Sequence, residues 1–198
     1  ISDRFLIKES KLTGWSIKFA GFTEEKNINN QSFNKNLLTG CLTLLDLSVE
    51  NISIEIDGAM CEDGVNMIRV VGDIDNIAVK NALHDAIDAD FSKLSFNNIY
   101  IRDAGNDCVD LSAGDYFINY ADVSDCNDKA FSVGEKSKLT LNSAKISNSN
   151  IGVAAKDSSI AEVNAINANS VNTCFNAYNK KQEFWGGKIK IKIHNCQT

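Results

Sequence analysis

His84-Asp85-Ala86-Ile87-Asp88-Ala89-Asp90 is followed 22 residues later by Asn106-Asp107-Cys108-Val109-Asp110-Leu111-Ser112, and then by Asp128-Lys129-Ala130-Phe131-Ser132-Val133-Gly134. In each copy a small residue precedes an apolar one, and the residue two further on is apolar again. The small position extends in both directions as Gly64, Ala86, Cys108, Ala130, Gly152, Cys174 and Cys196, always 22 apart. A period this strict marks a stack in which each turn of chain packs on the one before it. Cys41 fits one turn earlier at an interval of 23, and Ser16-Ile17-Lys18-Phe19 reads as one more.

Within a unit the pattern is of strands. Alternation of period two runs through Ile52-Ser53-Ile54-Glu55-Ile56, Leu94-Ser95-Phe96 and Leu139-Thr140-Leu141. No segment keeps a helical period for three turns, and proline is absent. Each unit therefore reads as three short strands joined by turns. A second column, Asn51, Asn76, Asn98, Asn142 and Asn164, suggests a ladder of stacked side-chain amides at one bend. The expected fold is all-β: a right-handed, single-stranded parallel β-helix of about eight coils in one domain. Residues 1–40 supply N-terminal coils and a loop (23–35), residues 41–179 the regular coils, and residues 180–198 a loop and the last strand.

Composition narrows the partners. Hydrophobic residues make up 43% of the 198, enough for one substantial core. Net charge is 20 − 26 = −6, with three arginines and no basic run, which argues against nucleic acid. No apolar stretch approaches the roughly 20 residues of a membrane span. The start at Ile1 points to a trimmed chain, so the lack of a leader carries no weight on export. With no cap evident at the last strand, further domains or self-association through the open coil ends are expected. Four cysteines fall in the small-residue column, and most are expected as free thiols serving as compact hydrophobes. Cys174 and Cys196 would lie one turn apart, near enough for a disulfide. No paired Cys-x-x-Cys indicates zinc.

The 22-residue turns and the asparagine column resemble a right-handed parallel β-helix of the pectin-lyase-like kind. Within it, Leu83-His84-Asp85-Ala86-Ile87-Asp88 resembles the Asn-Thr-Asp motif of polygalacturonase-type glycoside hydrolases, with Asp85 at the motif's aspartate. Gly105-Asn106-Asp107-Cys108-Val109 resembles their Asp-Asp motif; Asp107 keeps the second carboxylate and Asn106 replaces the first. Lys129 stands where His-Gly would place its histidine. Gly152-Val153-Ala154-Ala155-Lys156 resembles Arg-Ile-Lys, keeping Lys156 and losing the arginine to Ala154. The resemblance implies an extracellular or cell-envelope location and a polysaccharide substrate. The Asn106 departure removes a proton donor that an inverting hydrolase needs. Lyase or epimerase chemistry is the other option. The lyase Arg-x-Pro-x-x-Arg and epimerase Asp-Pro-His motifs are both missing.

Alternation on a strand puts neighbours on opposite faces. If Val65, Ile87 and Val109 point inward, Asn66, Asp88, Asp110, Ser132, Ala154 and Asn176 form one outer column. Ile68, Asp90, Ser112, Gly134, Lys156 and Tyr178 form another. The candidate catalytic residues are Asp85, Asp107, Asp110, Lys129 and Lys156, and the candidate substrate-binding residues are Asp88, Asp90, Glu135, Tyr178 and Lys180. Stacked aspartates about 5 Å apart repel by about 3 kcal/mol at an effective dielectric near 20. A cation, a shared proton or the lysines should compensate. Calcium suits hard oxygen ligands, with Asp88 and Asp110 as its candidates. The competing reading is of solubilising charges on a non-catalytic scaffold, adhesin or tailspike-like module. His84 and His194 are expected in matching turns, Trp15 in the core of the first turns, and Phe184 with Trp185 over the open end of the stack or, alternatively, on a sugar ring.

Overall fold

The computed structural model describes residues 4–21 and 33–197. Among these described residues fourteen strands and no helix follow in order: β1 (Phe5–Lys8), β2 (Lys11–Thr13), β3 (Ser16–Ala20), β4 (Gly40–Leu45), β5 (Ser48–Ala59), β6 (Asp63–Ile68), β7 (Val71–Ala82), β8 (Asp85–Asp90), β9 (Lys93–Ala104), β10 (Val109–Ser112), β11 (Asp115–Gly134), β12 (Lys138–Lys156), β13 (Ile160–Tyr178) and β14 (Lys188–Gln197). Every pairing is parallel, and each joins one coil to the next. The chain is a parallel β-solenoid of about six coils. The sequence suggested about eight. At the C-terminal end β14 pairs only with Ile160–Asn169 of β13, so the last coil is partial. At the other end β1, β2 and β3 make only a short-stranded one.

The register follows the 22-residue period. Val65, Ile87, Val109, Phe131 and Val153 stand over one another and are fully buried. Met67, Ala89, Leu111, Val133 and Ala155 form the parallel inner column. The small-residue column exists because the neighbouring coil comes close there. A Cβ on Gly64 would lie 2.7 Å from the Ala86 carbonyl oxygen, and one on Gly152 would lie 2.6 Å from that of Cys174.

Strands run longer than the sequence suggested because one of the two left-handed corners, the second below, is turned inside a strand, whereas the first falls in the short breaks between strands. Asp46, Arg69, Phe91, Ala113, Glu135 and Asp157 all adopt a left-handed backbone, with φ between 51° and 55°. Asn81, Asp103, Asp125, Asn148 and Ser170 do the same at a second corner, φ 53–64°. For L-residues this costs about 1 kcal/mol or more each, offset by the ladder on both sides.

The amide ladder is present but divided between two columns: Asn98 Nδ2 donates to Asn76 Oδ1 (3.1 Å) in one, and a longer run occupies the other. Asn97 Nδ2 donates to Asp75 Oδ1 (2.9 Å), Asn119 to Asn97 (3.0 Å), Asn142 to Asn119 (3.1 Å) and Asn164 to Asn142 (3.3 Å). Asn76 and Asn98 belong to the adjacent column, where Tyr120 follows them. A one-residue insertion between coils shifts the later asparagines relative to Asn98, which merges two columns when only the spacing is read.

All six cysteines are paired, which corrects the free-thiol expectation. Cys41–Cys61, Cys108–Cys126 and Cys174–Cys196 have Cα separations of 5.4, 5.4 and 6.3 Å. The first two link facing walls of a single coil in the buried interior. The rungs equivalent to Cys108 and Cys126 are Ala86 and Ala104, both small, so this narrow part of the coil admits a bridge. Cys196 leaves the 22-residue column: it stands over Ala168, and His194 stands over Ile166 rather than at a turn. Residues 180–187, inserted before β14, cause the slip. Trp15 is 53% exposed, not core. The loop assigned to residues 23–35 lies mostly outside the described residues. Among the described residues no helix is long and apolar enough to cross a membrane. Three disulfides are compatible with an extracellular protein.

Core stacking should outweigh the amide ladder. Phe131→Ala should cost about 3–5 kcal/mol, as for a fully buried aromatic. Asn119→Ala removes two exposed rungs and should cost about 1–2 kcal/mol at most. Urea unfolding of the oxidised protein followed by circular dichroism measures both, and comparable losses would contradict this ranking.

Candidate functional site

The first strand of each coil builds one continuous sheet face: β4, β6, β8, β10, then the ends of β11, β12 and β13. Outward columns run as expected. Asn66, Asp88, Asp110, Ser132, Ala154 and Asn176 are in register, as are Ile68, Asp90, Ser112, Gly134, Lys156 and Tyr178. These side chains are not splayed into solvent. Asn66 is 1% exposed, Asp107 2%, Lys156 6% and Lys129 9%.

The stacked acids are met by specific donors. Asp85 Oδ1 accepts from Asn106 Nδ2 (2.7 Å) and from the Asp107 amide (2.8 Å). Asp107 Oδ1 accepts from the Lys129 amide (3.0 Å) and ammonium (3.2 Å). The same ammonium contacts Asp128. Asp88 Oδ2 accepts from Asn66 Nδ2 at 2.9 Å, and Lys156 Nζ lies 3.8 Å from Asp110 Oδ2. The aliphatic stem of Lys156 lies over Gly134, where a Cβ would meet its Cε at 2.9 Å. Gly134 therefore clears the path for this lysine to reach the aspartates two coils earlier.

Burial is the largest cause of raised carboxyl pKa values here. Asp85 is pushed up to about 7, with the charges of Asp107 and Asp110 adding to burial against its hydrogen bonds. Asp63 also reaches about 7, through burial, Glu62, Asp90 and Asp110. Asp90 is raised to about 6, by burial, Asp110 and Glu135. Asp88 stands well above the ordinary value, from burial and the surrounding Asp63, Asp90, Asp110 and Asp85. Asp107 is raised by burial and Asp110, while Lys129 pulls the other way. Burial opposes the Lys129 charge, but Asp128 and Asp107 outweigh it and hold the ammonium protonated. Like-charge stacking is thus relieved by lysines and by protons retained near neutral pH.

Two loops border the face. Residues 33–39 precede β4 and are tied down by Arg4 Nη1, which donates to the carbonyls of Leu38 (2.7 Å) and Thr39 (2.5 Å). Residues 180–187 fold back along the other edge. The amides of Lys180 and Lys181 both donate to Asp157 Oδ1 at 2.8 Å, and Lys181 pairs with Glu135. Trp185 is clamped by Ser158: its amide donates to Ser158 Oγ (2.8 Å), and its carbonyl accepts from the Ser158 amide (2.6 Å). Trp185 is 86% exposed, so it does not cover the end of the stack.

The structure therefore brings together Asp85, Asp88, Asp90, Asp107, Asp110, Lys129 and Lys156. Glu135 and Tyr178 lie at the margin, Tyr178 one rung beyond Lys156. Lys180 contributes its backbone, while Lys181 supplies the charged group. Lys181, Asp63, Asn66 and Asp128 were not among the candidates. Asp63 was visible as one rung before Asp85; Lys181 had no periodic signal, because it lies in the inserted loop. Among the described residues no three His, Cys, Asp or Glu side chains are grouped to hold a metal ion. Asp88 accepts from the Asn66 amide and Asp110 lies beside the Lys156 ammonium.

Raised carboxyl pKa values reverse the usual acid sensitivity. Asp63 and Asp85 hold protons more tightly folded than unfolded, so their contribution is complete below pH about 4 and is lost as pH rises to about 7. Asp85→Asn keeps the Oδ1 acceptor for both of its bonds. Relative to the parent, this variant should gain stability between pH 4 and 8, up to about 4 kcal/mol at about 1.4 kcal/mol per pH unit. Chemical unfolding across that range tests it, and a pH-independent difference would contradict the buried, protonated Asp85.

The chain matches no protein-family model, no curated protein and no solved structure, so the pectin-lyase-like resemblance rests on the coil repeat and the turn motifs alone.

Proposed function

We propose that the protein engages an extended polysaccharide along the outer face of the first sheet, as a distant, pectin-lyase-like β-helix of the extracellular space or cell envelope. The observation that carries this reading is the convergence of Asp85, Asp88, Asp107, Asp110, Lys129 and Lys156 from four successive coils into one half-buried polar strip. A scaffold has no need to desolvate six ionisable groups, and burying charge is costly unless the groups are used or paired. A linear ligand also suits the geometry, because equivalent groups repeat along the stack about every 4.8 Å.

Within this reading Asp85 is the proton donor. It retains its proton near neutral pH, whereas Asn106 at the neighbouring motif position has none to give. Asp107, which accepts from the Lys129 ammonium, is its neighbour. Such a pair suits protonation of a glycosidic oxygen, or proton transfer at a uronate carbon with Lys129 and Lys156 neutralising the sugar carboxylate. Trp185, its backbone held by Ser158 and its side chain exposed, offers an apolar face for a pyranose ring.

A panel of neutral and uronate polysaccharides tests the proposal through retention in affinity electrophoresis and release of reducing or unsaturated ends. At least one glycan should be retained, and Trp185→Ala should weaken that retention about tenfold, the loss of one stacking contact. If product forms, Asp85→Asn and Asp107→Asn should abolish it, with parent activity falling above pH about 7 as Asp85 ionises. No retention and no product across the panel would sink the proposal in favour of a non-catalytic scaffold.

A further inference from the structure

Beside the strip, at the second left-handed corner of the coils, lies an open trough of about 610 Å³. Asp103, Asp125, Asn148 and Ser170, the residues that turn this corner, form one wall. Two residues further along each coil, Asn127, Asn150 and Asn172 form the other. Ala104, Cys126 and Ser149 make the floor, and the Cys126 bridge ties it to Cys108, the neighbour of Asp107. Along the chain the trough precedes the Asp107 column, whereas the 180–187 loop is tied to Asp157, just past Lys156. The two therefore flank the strip on opposite edges.

The walls are held in place but not saturated. Asn148 Nδ2 donates to Asp125 Oδ1 (3.0 Å), Asn172 Nδ2 to Asn150 Oδ1 (3.3 Å) and Asn127 Nδ2 to the Gly105 carbonyl (3.2 Å). A carboxamide has two N–H donors and an oxygen with two lone pairs, so each of these asparagines keeps donor and acceptor capacity for a ligand. The amides recur at the rung spacing of about 4.8 Å, on the scale of a sugar ring.

Charge and surroundings set the ligand class. Among the described residues no basic or aromatic side chain lines the trough. Hydrogen bonds from Asn148 and Ser124 hold the Asp125 carboxyl below its ordinary range, so it is ionised near neutral pH. An anionic ligand would meet that carboxylate with no counter-charge. A peptide strand has no edge to extend, because β9, β11 and β12 each lie between two paired neighbours. What fits is an uncharged ligand rich in hydroxyls.

We infer that the trough binds a neutral, linear oligosaccharide stretch through its side-chain amides, without ring stacking. The ligand class follows the polysaccharide reading above, but the residues differ, so one site can fail while the other stands.

Nuclear magnetic resonance of the ¹⁵N-labelled, oxidised protein tests this, with cellohexaose, xylohexaose, mannohexaose and hexagalacturonate as probes. At least one neutral hexamer should shift the side-chain amide signals of Asn127, Asn148, Asn150 and Asn172 saturably at millimolar concentration, and hexagalacturonate should not. Asn150→Ala combined with Asn172→Ala should weaken that binding about tenfold, the loss of two amide contacts. Circular dichroism shows whether this variant remains folded, and the titration of the parent protein decides by itself if it does not. Shifts confined to Asn66, Asn106 and the Trp185 indole would overturn the trough and leave the strip standing. No shift at either place would overturn both. Equal shifts from hexagalacturonate, or unchanged affinity in the folded double variant, would also overturn the trough as a neutral-glycan site.

Discussion

Parallel, in-register pairing between successive coils is the constraint on which the rest of the molecule depends. It satisfies the backbone of each coil with that of its neighbours. In the regular coils it also forces whatever residue occupies a rung to stand on its counterpart 22 or 23 positions away. Inside, that rule builds a continuous core from short apolar strips such as Ile87, Val109 and Phe131, none of which could bury itself alone. Outside, the same rule concentrates charge, because Asp88 must lie beside Asp110 whether or not like charges favour it.

How the molecule accommodates that crowding defines its chemistry. Lysines arrive from later coils, Lys129 against Asp107 and Lys156 toward Asp110, and Asn66 and Asn106 donate from their own rungs. What repulsion remains is removed by protonation, which leaves Asp85 poised near neutrality. A strip with both a retained proton and fixed cations can do more than keep a protein soluble. The loop carrying Lys181 and Trp185 adds a wall on one edge, held by backbone bonds to Asp157 and Ser158 rather than by core packing.

Much of this was readable from spacing. The outer columns through Asp88 and Asp90 followed from period and alternation alone, since both are local rules that the fold does not override. Failures occurred where a residue is inserted or where contact runs across a coil. One extra residue between Gly134 and Lys138 moved Asn142 and Asn164 into the column of Asn119, and the longer insertion before β14 moved Cys196 off the Cys174 column. The Cys108–Cys126 bridge joins two different columns 18 residues apart, so no 22-residue register reveals it. Burial of Lys129 and Lys156 was also hidden, because alternation gives the direction of a side chain but not the depth to which its neighbours cover it.

Register is also what a single experiment can check most directly. Amide–amide and Cα-proton nuclear Overhauser contacts from Val109 should reach Ile87 on one side and Phe131 on the other, each 22 residues distant. Observation of both places the aspartate rungs over one another as described. Contacts from Val109 to residues a few positions away across a hairpin, or to only one of the two neighbours, would contradict the coiled stack and with it the polar strip.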